Sequence, residues 1–473
     1  MASHTWPIVL VIICALEISV LTRVKSYYGA DKISKLPGQP NVNFQQYSGY
    51  ITVDDVRNIS LFYYFVEAET KPASKPLVLW LSGNYGPGCS SLGFGAFIDS
   101  GPFKPSGRTL VKHNYSWNKE ANMIYLDAPA GTGFSYSEDE LFYTYVNDEI
   151  TAINNLNFLE KWIEKFPEFK SRELYITGEG YAGHFVPQQA NLIVQSKSKL
   201  MNLRGISIGN PYLEFKTDFN SRAEYMWSHG LISDSTLQQL TYICNYSKIE
   251  SQKLFHENLA AECSRVNKQA SDEASSSVNR NSIDLDVCSS SVSVQSQALN
   301  QMQNEWNIDV CLQSETEVYF KRSDVQKALH ARAAETIYEE YSLYTNISYY
   351  DLNYKRKDIV TPTIGLLGSL VNSGIRVLVY SADQEYYIPL TGTRKLVNGL
   401  AEKTLKRNTT RPYSAWFVKG QVAGWTQEYG ELLSYATIRG ASHDVSWSQP
   451  ERALVFFTYF LNGKPLPPVN GTI

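Results

Sequence analysis

Short, continuous apolar runs recur along the first half of the chain and indicate buried strands. They span Pro76 to Leu81, Met123 to Leu126 and Glu173 to Thr177. Runs of this length without polar alternation are typical of strands buried on both faces. Between the second and third runs, residues 148–166 carry apolar side chains at helical spacing. The order strand, helix, strand predicts a βαβ unit and hence a parallel sheet.

The pattern changes after Pro211 and returns near the C-terminus. The intervening residues are more polar and include a Ser/Asn-rich tract, 270–282, that predicts a mobile or processed loop. Buried-strand patterns reappear at 374–380 and 433–438, and a long amphipathic segment, 450–461, predicts a closing C-terminal helix. We therefore predict an α/β fold with a mostly parallel central sheet, flanking helices and an inserted, mainly helical cap.

The predicted organisation has four parts, beginning with an export signal. An apolar run, Trp6 to Leu21, is interrupted only by Glu17 and is shorter than the roughly 20 residues of a membrane span. It predicts a cleaved signal peptide, with an uncleaved signal anchor as the alternative. The parts are the signal peptide (1–26), the first part of the core (27–213), the cap (214–340) and the second part of the core (341–473).

Cysteines and glycosylation sequons agree with export. Five cysteines follow the signal peptide, and four of them cluster in the predicted cap, as in a disulfide-stabilised region. Six Asn-x-Ser/Thr sequons are spread over the chain, and together with the signal they predict N-glycosylation. The sequons begin at Asn58, Asn114, Asn245, Asn346, Asn408 and Asn470. We expect a secreted, extracellular or vacuolar glycoprotein that leaves the membrane after signal cleavage.

Composition and charge exclude some partners without naming one. The chain of 473 residues is 43% hydrophobic and has 43 Lys and Arg against 47 Asp and Glu, a formal net charge of −4. This gives no basic field for nucleic acid and no polybasic stripe for an anionic membrane. The sequence leaves the oligomeric state open.

A strand-to-turn segment carries the strongest chemical signal. The sequence 175–183 reads Tyr-Ile-Thr-Gly-Glu-Gly-Tyr-Ala-Gly, which has the strand, the turn and the flanking glycines Gly178 and Gly183 of a Gly-x-Ser-x-Gly-type nucleophile turn, but Gly180 stands at the serine position and Ala182 precedes the second glycine. Downstream, Asp383 follows a strand, and His443 lies in a small-residue loop before the last helix. The chain order nucleophile, acid, base is that of an α/β-hydrolase. This chemistry requires neither cofactor nor metal.

The same segment also fits a dinucleotide-binding pattern, which we consider and reject. Residues 178–183 match Gly-x-Gly-x-x-Gly literally. However, the segment lies far into the chain, Glu179 and Tyr181 would crowd a pyrophosphate, and the following helix contains Pro187.

Ordered motifs over most of the chain resemble the serine carboxypeptidase family, and within it the plant carboxypeptidase-like proteins. The resemblance runs from about Lys35 to Pro467. Its motifs include Gly-Pro-Gly-Cys-Ser-Ser at 86–91, Pro-Ala-Gly-Thr-Gly-Phe-Ser-Tyr at 129–136, the segment 178–187, Ile-Gly-Asn-Pro at 208–211, and the segments 380–389 and 440–450.

The resemblance implies a role for several residues. Asp383 is expected as the triad acid and His443 as the base, with Gly180 at the nucleophile position. Glu179 is expected to share a proton with the C-terminal carboxylate of a peptide substrate, which would favour binding in acid. Asp99 aligns with the family's second carboxylate-binding glutamate, one methylene longer. The backbone N–H groups of Gly86 and Tyr181 are expected to form the oxyanion hole.

The loop after the first strand departs from the family pattern. The family reads Trp-Leu-Asn-Gly-Gly-Pro-Gly-Cys, whereas residues 80–89 contain two extra residues. One alignment keeps Asn84 as the carboxylate-binding amide and places Tyr85 at a glycine position; the other replaces the asparagine with Ser82. Either alignment predicts a misplaced oxyanion donor, because such donors must lie about 2.7–3.1 Å from the developing charge.

By family pattern, the disulfides are expected to be Cys244–Cys263 and Cys288–Cys311. The family's partner for Cys89 aligns with Thr345, so a free Cys89 thiol is expected. Cys89 is a poor substitute nucleophile because it lies on a different loop without a matched base.

These observations lead to a functional expectation with an alternative. We expect an inactive or impaired serine-type carboxypeptidase relative that binds peptides or C-terminal carboxylates in the old cleft. Gly180 has no side chain through which an acyl-enzyme could form. The alternative is an active carboxypeptidase or acyltransferase that uses an unforeseen nucleophile.

Overall fold

The computed structural model describes residues 29–84, 86–288, 308–332, 341–345 and 352–469. The predicted signal peptide, Tyr85 and the sequons at Asn346 and Asn470 lie outside these ranges. None of the described helices is both long and apolar enough to cross a bilayer.

A central sheet of eleven strands organises the molecule. Its strand order is β1-β2-β6-β3-β8-β9-β10-β13-β12-β11, with β7 paired to β2, while β4 and β5 form a separate hairpin. The six central strands, from β6 to β13, are parallel, and antiparallel strands extend both edges. The strands are β1 (Gln46–Asp54), β2 (Ile59–Val66), β3 (Leu77–Gly83), β4 (Phe103–Ser106), β5 (Thr109–Lys112), β6 (Asn122–Leu126), β7 (Tyr136–Ser137), β8 (Glu173–Gly180), β9 (Asn202–Gly209), β10 (Arg376–Ala382), β11 (Thr409–Val418), β12 (Gln421–Tyr429) and β13 (Leu433–Ile438).

Helices cover both faces of the sheet and build the cap. The α-helices are α1 (Asp148–Lys165), α2 (Ala182–Ser196), α3 (Phe215–Ser228), α4 (Asp234–Tyr242), α5 (Tyr246–Leu254), α6 (Ala261–Ala274), α7 (Leu312–Phe320), α8 (Ser323–Ala328), α9 (Arg356–Ile359), α10 (Ile364–Asn372), α11 (Leu390–Gly399), α12 (Val445–Ser448) and α13 (Pro450–Leu461). Two π-helical segments, Ser91–Asp99 and Leu400–Thr404, and four short 3-10 turns, Gly29–Asp31, Trp117–Lys119, Glu140–Thr144 and Pro167–Phe169, complete the description.

The predicted α/β architecture is confirmed. The three apolar runs of the first half become β3, β6 and β8, and the intervening amphipathic segment becomes α1. The third run continues to Gly180 rather than stopping at Gly178. The antiparallel edge strands were not predicted.

The continuous apolar runs arise because each central strand separates two cores. In β3, Leu77, Leu79 and Leu81 pack into the core on one side of the sheet, while Val78 and Trp80 pack into the core on the other. Strand residues alternate between faces, so a strand covered on both sides has apolar side chains at every position.

The described residues between β9 and β10 form no strand of the sheet and contain the cap helices. The cap has its own core, which includes Phe215, Phe219 and the buried Cys244–Cys263 disulfide. The expected second disulfide, Cys288–Cys311, is also present. The guanidinium of Arg222 joins the cap to the loop after β10, stacking 4.4 Å from the ring centroid of Tyr387 and donating to its carbonyl oxygen at 2.7 Å.

The Ser/Asn-rich tract at 270–282 is not the mobile loop that its composition predicted. Helix α6 continues to Ala274, and the residues that follow bond to the site loops. Arg280 and Asn281 accept hydrogen bonds through their backbone carbonyls from the N–H groups of Tyr386 (3.1 Å) and His443 (2.8 Å). The composition was misleading because polar side chains here border a backbone held by tertiary hydrogen bonds.

Candidate functional site

The turn from β8 into α2 is a tight strand-to-helix turn with Gly180 at the position predicted for the nucleophile. Gly180 ends β8 with φ +65°, a left-handed conformation that favours glycine, and α2 begins two residues later. The flanking glycines permit close packing, because a Cβ would lie 2.0 Å from the carbonyl oxygen of Leu81 at Gly178 and 2.2 Å from that of Tyr212 at Gly183. The predicted tight turn is therefore present, with glycine at position 180.

The carbonyl group of Gly83 occupies the space above this turn. A Cβ at Gly180 would lie 2.4 Å from the Gly83 carbonyl oxygen and 2.9 Å from Cα of Asn84. Real Cβ atoms do not approach other heavy atoms this closely, so a side chain at position 180 requires the backbone at 83–84 to move.

The same carbonyl oxygen accepts hydrogen bonds from both backbone N–H groups that were predicted to form the oxyanion hole. The Tyr181 N–H donates to the Gly83 oxygen at 2.7 Å, and the Gly86 N–H donates to it at 3.1 Å. These distances are those expected for donors to a developing oxyanion. An internal peptide carbonyl thus sits where the carbonyl of a bound substrate is expected.

The histidine is held by a different acid from the one predicted. His443 Nδ1 lies 2.6 Å from Glu385 Oε2, and both side chains are fully buried. Asp383 instead accepts through Oδ1 from the Gly440 N–H at 2.6 Å and from the side chain of Gln384 at 3.2 Å. The predicted pairing of Asp383 with His443 is therefore corrected to Glu385. Both carboxylates follow β10 two residues apart, and only the position of the His443 loop selects the second.

Electrostatics reflect this pairing. Burial alone would lower the pKa of His443, but the Glu385 carboxylate raises that pKa above its usual value. Burial raises the pKa of Glu385, although the imidazole opposes this shift.

Replacement of Glu385 by Gln is expected to lower the pKa of His443, because the opposing charge is lost. NMR titration of ring-labelled histidines, of which the chain has seven, would measure the shift, with a His443→Gln spectrum for assignment. Asp383→Asn is the matched control and should leave the pKa of His443 unchanged. A shift produced by Asp383→Asn alone would contradict the pairing.

The residues expected to bind a carboxylate are brought together beside the turn. Glu179 accepts from the Tyr380 hydroxyl at 2.9 Å through Oε1, and Asp99 accepts through Oδ1 from the backbone N–H groups of Ser446 (2.6 Å) and Trp447 (3.1 Å). The second oxygens, Glu179 Oε2 and Asp99 Oδ2, are buried and have no hydrogen-bond partner within the described ranges. A buried polar atom in this state is a candidate for ligand contact.

Asn84 lies in the same group, but its amide is already engaged. Its Nδ2 donates to Asp444, the residue after the histidine, and its Oδ1 accepts from the Ser82 hydroxyl at 3.0 Å. The two residues that compete for the family's asparagine position are thus hydrogen-bonded to each other. Asn84, Asp99 and Glu179 are each at most 2% exposed, so this group is closed to solvent.

The two acids of this group, Asp99 and Glu179, are buried and have raised pKa values. Burial and the charge of Asp444 raise the pKa of Asp99 to about 7. Burial and the charges of Asp99 and Asp444 raise the pKa of Glu179 well above its usual value. Burial lowers the pKa of nearby Lys104 to about 8. In the described part of the chain, no set of three or more His, Cys, Asp or Glu side chains is arranged to hold a metal ion.

Cys89 lies in neither disulfide and is 2% exposed. It forms an antiparallel bridge with Tyr344, and the Thr345 N–H donates to the Gly88 carbonyl at 2.7 Å. The position where the family carries the partner cysteine therefore lies beside Cys89, although it is occupied by threonine.

Comparison with known proteins identifies the family of the chain. The serine carboxypeptidase family model matches residues 37–463. The chain belongs to the serine carboxypeptidase family. Among its relatives, serine carboxypeptidase-like 45 of Arabidopsis thaliana is 55% identical over 440 residues, which cover 93% of each chain. Serine carboxypeptidase-like 46 of the same plant is 53% identical over 443 residues, again 93% of each chain.

A solved structure supports the fold at greater distance. The prohormone-processing carboxypeptidase Kex1(delta)p of Saccharomyces cerevisiae aligns with a TM-score of 0.74 and 21% identity, covering 94% of this chain and 98% of that one. The α/β-hydrolase architecture of this serine carboxypeptidase homologue is thereby established.

Proposed function

We propose that this chain is a non-catalytic serine carboxypeptidase homologue that binds peptide C-termini without hydrolysing them. The observation that carries the proposal is the Gly83 carbonyl, which accepts from the two oxyanion donors and fills the space above Gly180. Loss of a triad serine costs on the order of 10⁶ in turnover, and loss of one oxyanion donor costs about 10²–10³ more. The two changes together remove the machinery of acyl transfer.

Retained binding is supported by the two buried oxygens without partners. A protonated Glu179 can donate to a peptide carboxylate, whereas an ionised one would repel it. Its raised pKa favours the protonated form in acid. Because the group is closed to solvent, entry of a ligand requires the segment 82–86 to move, and the affinity is reduced by the fraction of molecules that are open.

Export is part of the proposal. The two disulfides fit an oxidising compartment such as the extracellular space, and we infer that the chain enters the secretory pathway and acts outside the cell or in the vacuole.

The proposal predicts binding without turnover. An N-blocked dipeptide with a free C-terminus should bind more tightly at pH 5 than at pH 7.5, because Asp99, with a pKa of about 7, is protonated at the lower pH and no longer repels the peptide carboxylate. Its C-terminal amide should not bind. Calorimetry would measure binding, while mass spectrometry should detect no product and a fluorophosphonate probe should give no covalent label.

Matched variants test separately the two claims of the proposal, which are that the chain binds a peptide carboxylate and that it does not hydrolyse the peptide. Glu179→Gln should weaken the pH dependence and leave the part that Asp99 contributes, whereas Glu67→Gln, another carboxyl whose pKa burial raises, should leave it unchanged. Product or label above the level of a His443→Ala variant would favour the alternative of an active enzyme with an unforeseen nucleophile. Equal binding of the amide would exclude carboxylate recognition.

A further inference from the structure

The cap carries an open cleft that the old active site does not use. It has a volume of about 630 Å³, within the range of about 300–1,000 Å³ typical of small-molecule sites. Apolar side chains form much of its wall, with polar and charged groups beside them. Its lining includes Phe215, Phe255, Val360, Pro362, Lys216 and Lys248.

The sequon residue Asn245 forms part of this wall. It is exposed and caps α5, accepting through Oδ1 from the Lys248 N–H and from the Ser247 hydroxyl, both at 3.0 Å. An N-linked glycan is attached through Nδ2 and leaves the carbonyl oxygen in place, so glycosylation and capping are compatible. A sugar attached at Asn245 would start inside the cleft.

The other described sequons differ. Asn58 donates through Nδ2 to Glu138 at 3.1 Å, so its amide nitrogen is already engaged. Asn114 and Asn408 are exposed, and neither lines the cleft. Asn245 therefore combines an available amide with a position in the wall of this cleft.

The cleft has chemistry suited to a sugar. Phe255 is 39% exposed, and Val360 and Pro362 extend the same apolar wall. Lys216 and Lys248 supply hydrogen-bond donors at its border. A pyranose ring presents apolar C–H faces and a rim of hydroxyls, which matches a site with apolar walls and a few polar groups.

We infer that Asn245 carries an N-glycan whose first N-acetylglucosamine residues fold back into this cleft and cover Phe255. The attachment makes the binding intramolecular, so even weak contacts are occupied at the effective concentration that the linkage sets. The glycan is thereby a structural part of the cap. This inference is independent of whether the old active site binds peptides.

The test uses the full chain secreted from a glycosylating mammalian host, whose N-glycans peptide N-glycosidase F can release. Site-resolved mass spectrometry after limited treatment with peptide N-glycosidase F should show release from Asn245 at least about tenfold slower than from Asn408 in the native protein. After denaturation the two rates should be equal. An unoccupied Asn245, or equal rates in the native protein, would overturn the inference.

Two variants connect the protection to the cleft. Phe255→Ala should bring native release at Asn245 to within about twofold of Asn408. Tyr242→Ala, at an 84% exposed position of the same cap outside the cleft, should leave the protection unchanged. Protection that survives Phe255→Ala, or that is lost equally in both variants, would contradict seating against Phe255.

Discussion

Gly180→Ser alone is expected to yield no measurable carboxypeptidase activity and a less stable protein. The new Cβ would lie 2.4 Å from the Gly83 carbonyl oxygen, and that oxygen still accepts from the Tyr181 and Gly86 N–H groups. The hydroxyl would therefore face a filled oxyanion hole. The measurements are hydrolysis of a blocked dipeptide and the thermal midpoint of unfolding.

Activity should return only when the loop is shortened as well. Deletion of Asn84 and Tyr85 with Ser82→Asn restores the family's loop sequence, and combined with Gly180→Ser it should raise kcat/KM at least about 10³-fold over the single variant. His443→Ala in this background is the control and should abolish the gain. Full activity from Gly180→Ser alone would show that the Gly83 carbonyl moves aside readily.

Stability is expected to be highest in acid and to fall as the pH rises from about 4 to 7. Burial raises the pKa of Asp127 to about 6 and the pKa of Asp218 to about 7, besides the shift at Asp99. A carboxyl whose folded pKa is raised contributes stability that is fully present below its unfolded pKa and is lost as the pH rises through the folded pKa. For Asp218 the difference from its usual 3.8 corresponds to on the order of 4 kcal/mol.

The buried His113 has the opposite effect on the pH dependence of stability. Burial lowers the pKa of His113 well below its usual value, so its contribution is present above pH 6.5 and is lost as the pH falls through the folded pKa. The carboxyls outnumber it, so the net slope in this window should be negative.

The pH prediction can be tested by thermal unfolding at a fixed scan rate between pH 4 and pH 7. Asp218→Asn should flatten the decrease in the midpoint, because its carboxyl no longer ionises. Asp272→Asn, at an exposed ion pair in α6, is the matched control and should keep the wild-type slope. An unchanged slope in Asp218→Asn would contradict the assignment of the effect to this buried carboxyl.

Local sequence patterns were sufficient to predict the strands that are buried on both faces. The run Leu-Val-Leu-Trp-Leu of β3 predicts a strand because every side chain has a core to enter. The edge strands were missed: β11, for example, has a mostly exposed or half-buried pattern, so its apolar signal is weak. Its position is fixed instead by hydrogen bonds to β12.

By itself, the sequence determined the α/β architecture, the serine carboxypeptidase resemblance and the absence of a hydroxyl at position 180. These properties follow from residue identity and short-range periodicity, which need no knowledge of distant contacts.

Two features of the site depend on tertiary contacts: the acid that pairs with His443, and the carbonyl that accepts from the predicted oxyanion donors. Asp383 and Glu385 are chemically alike and adjacent in sequence, so the choice depends on where a loop sixty residues away is placed. The Gly83 carbonyl is backbone, which no sequence motif distinguishes, and its place opposite Gly180 depends on the register of β3 against β8.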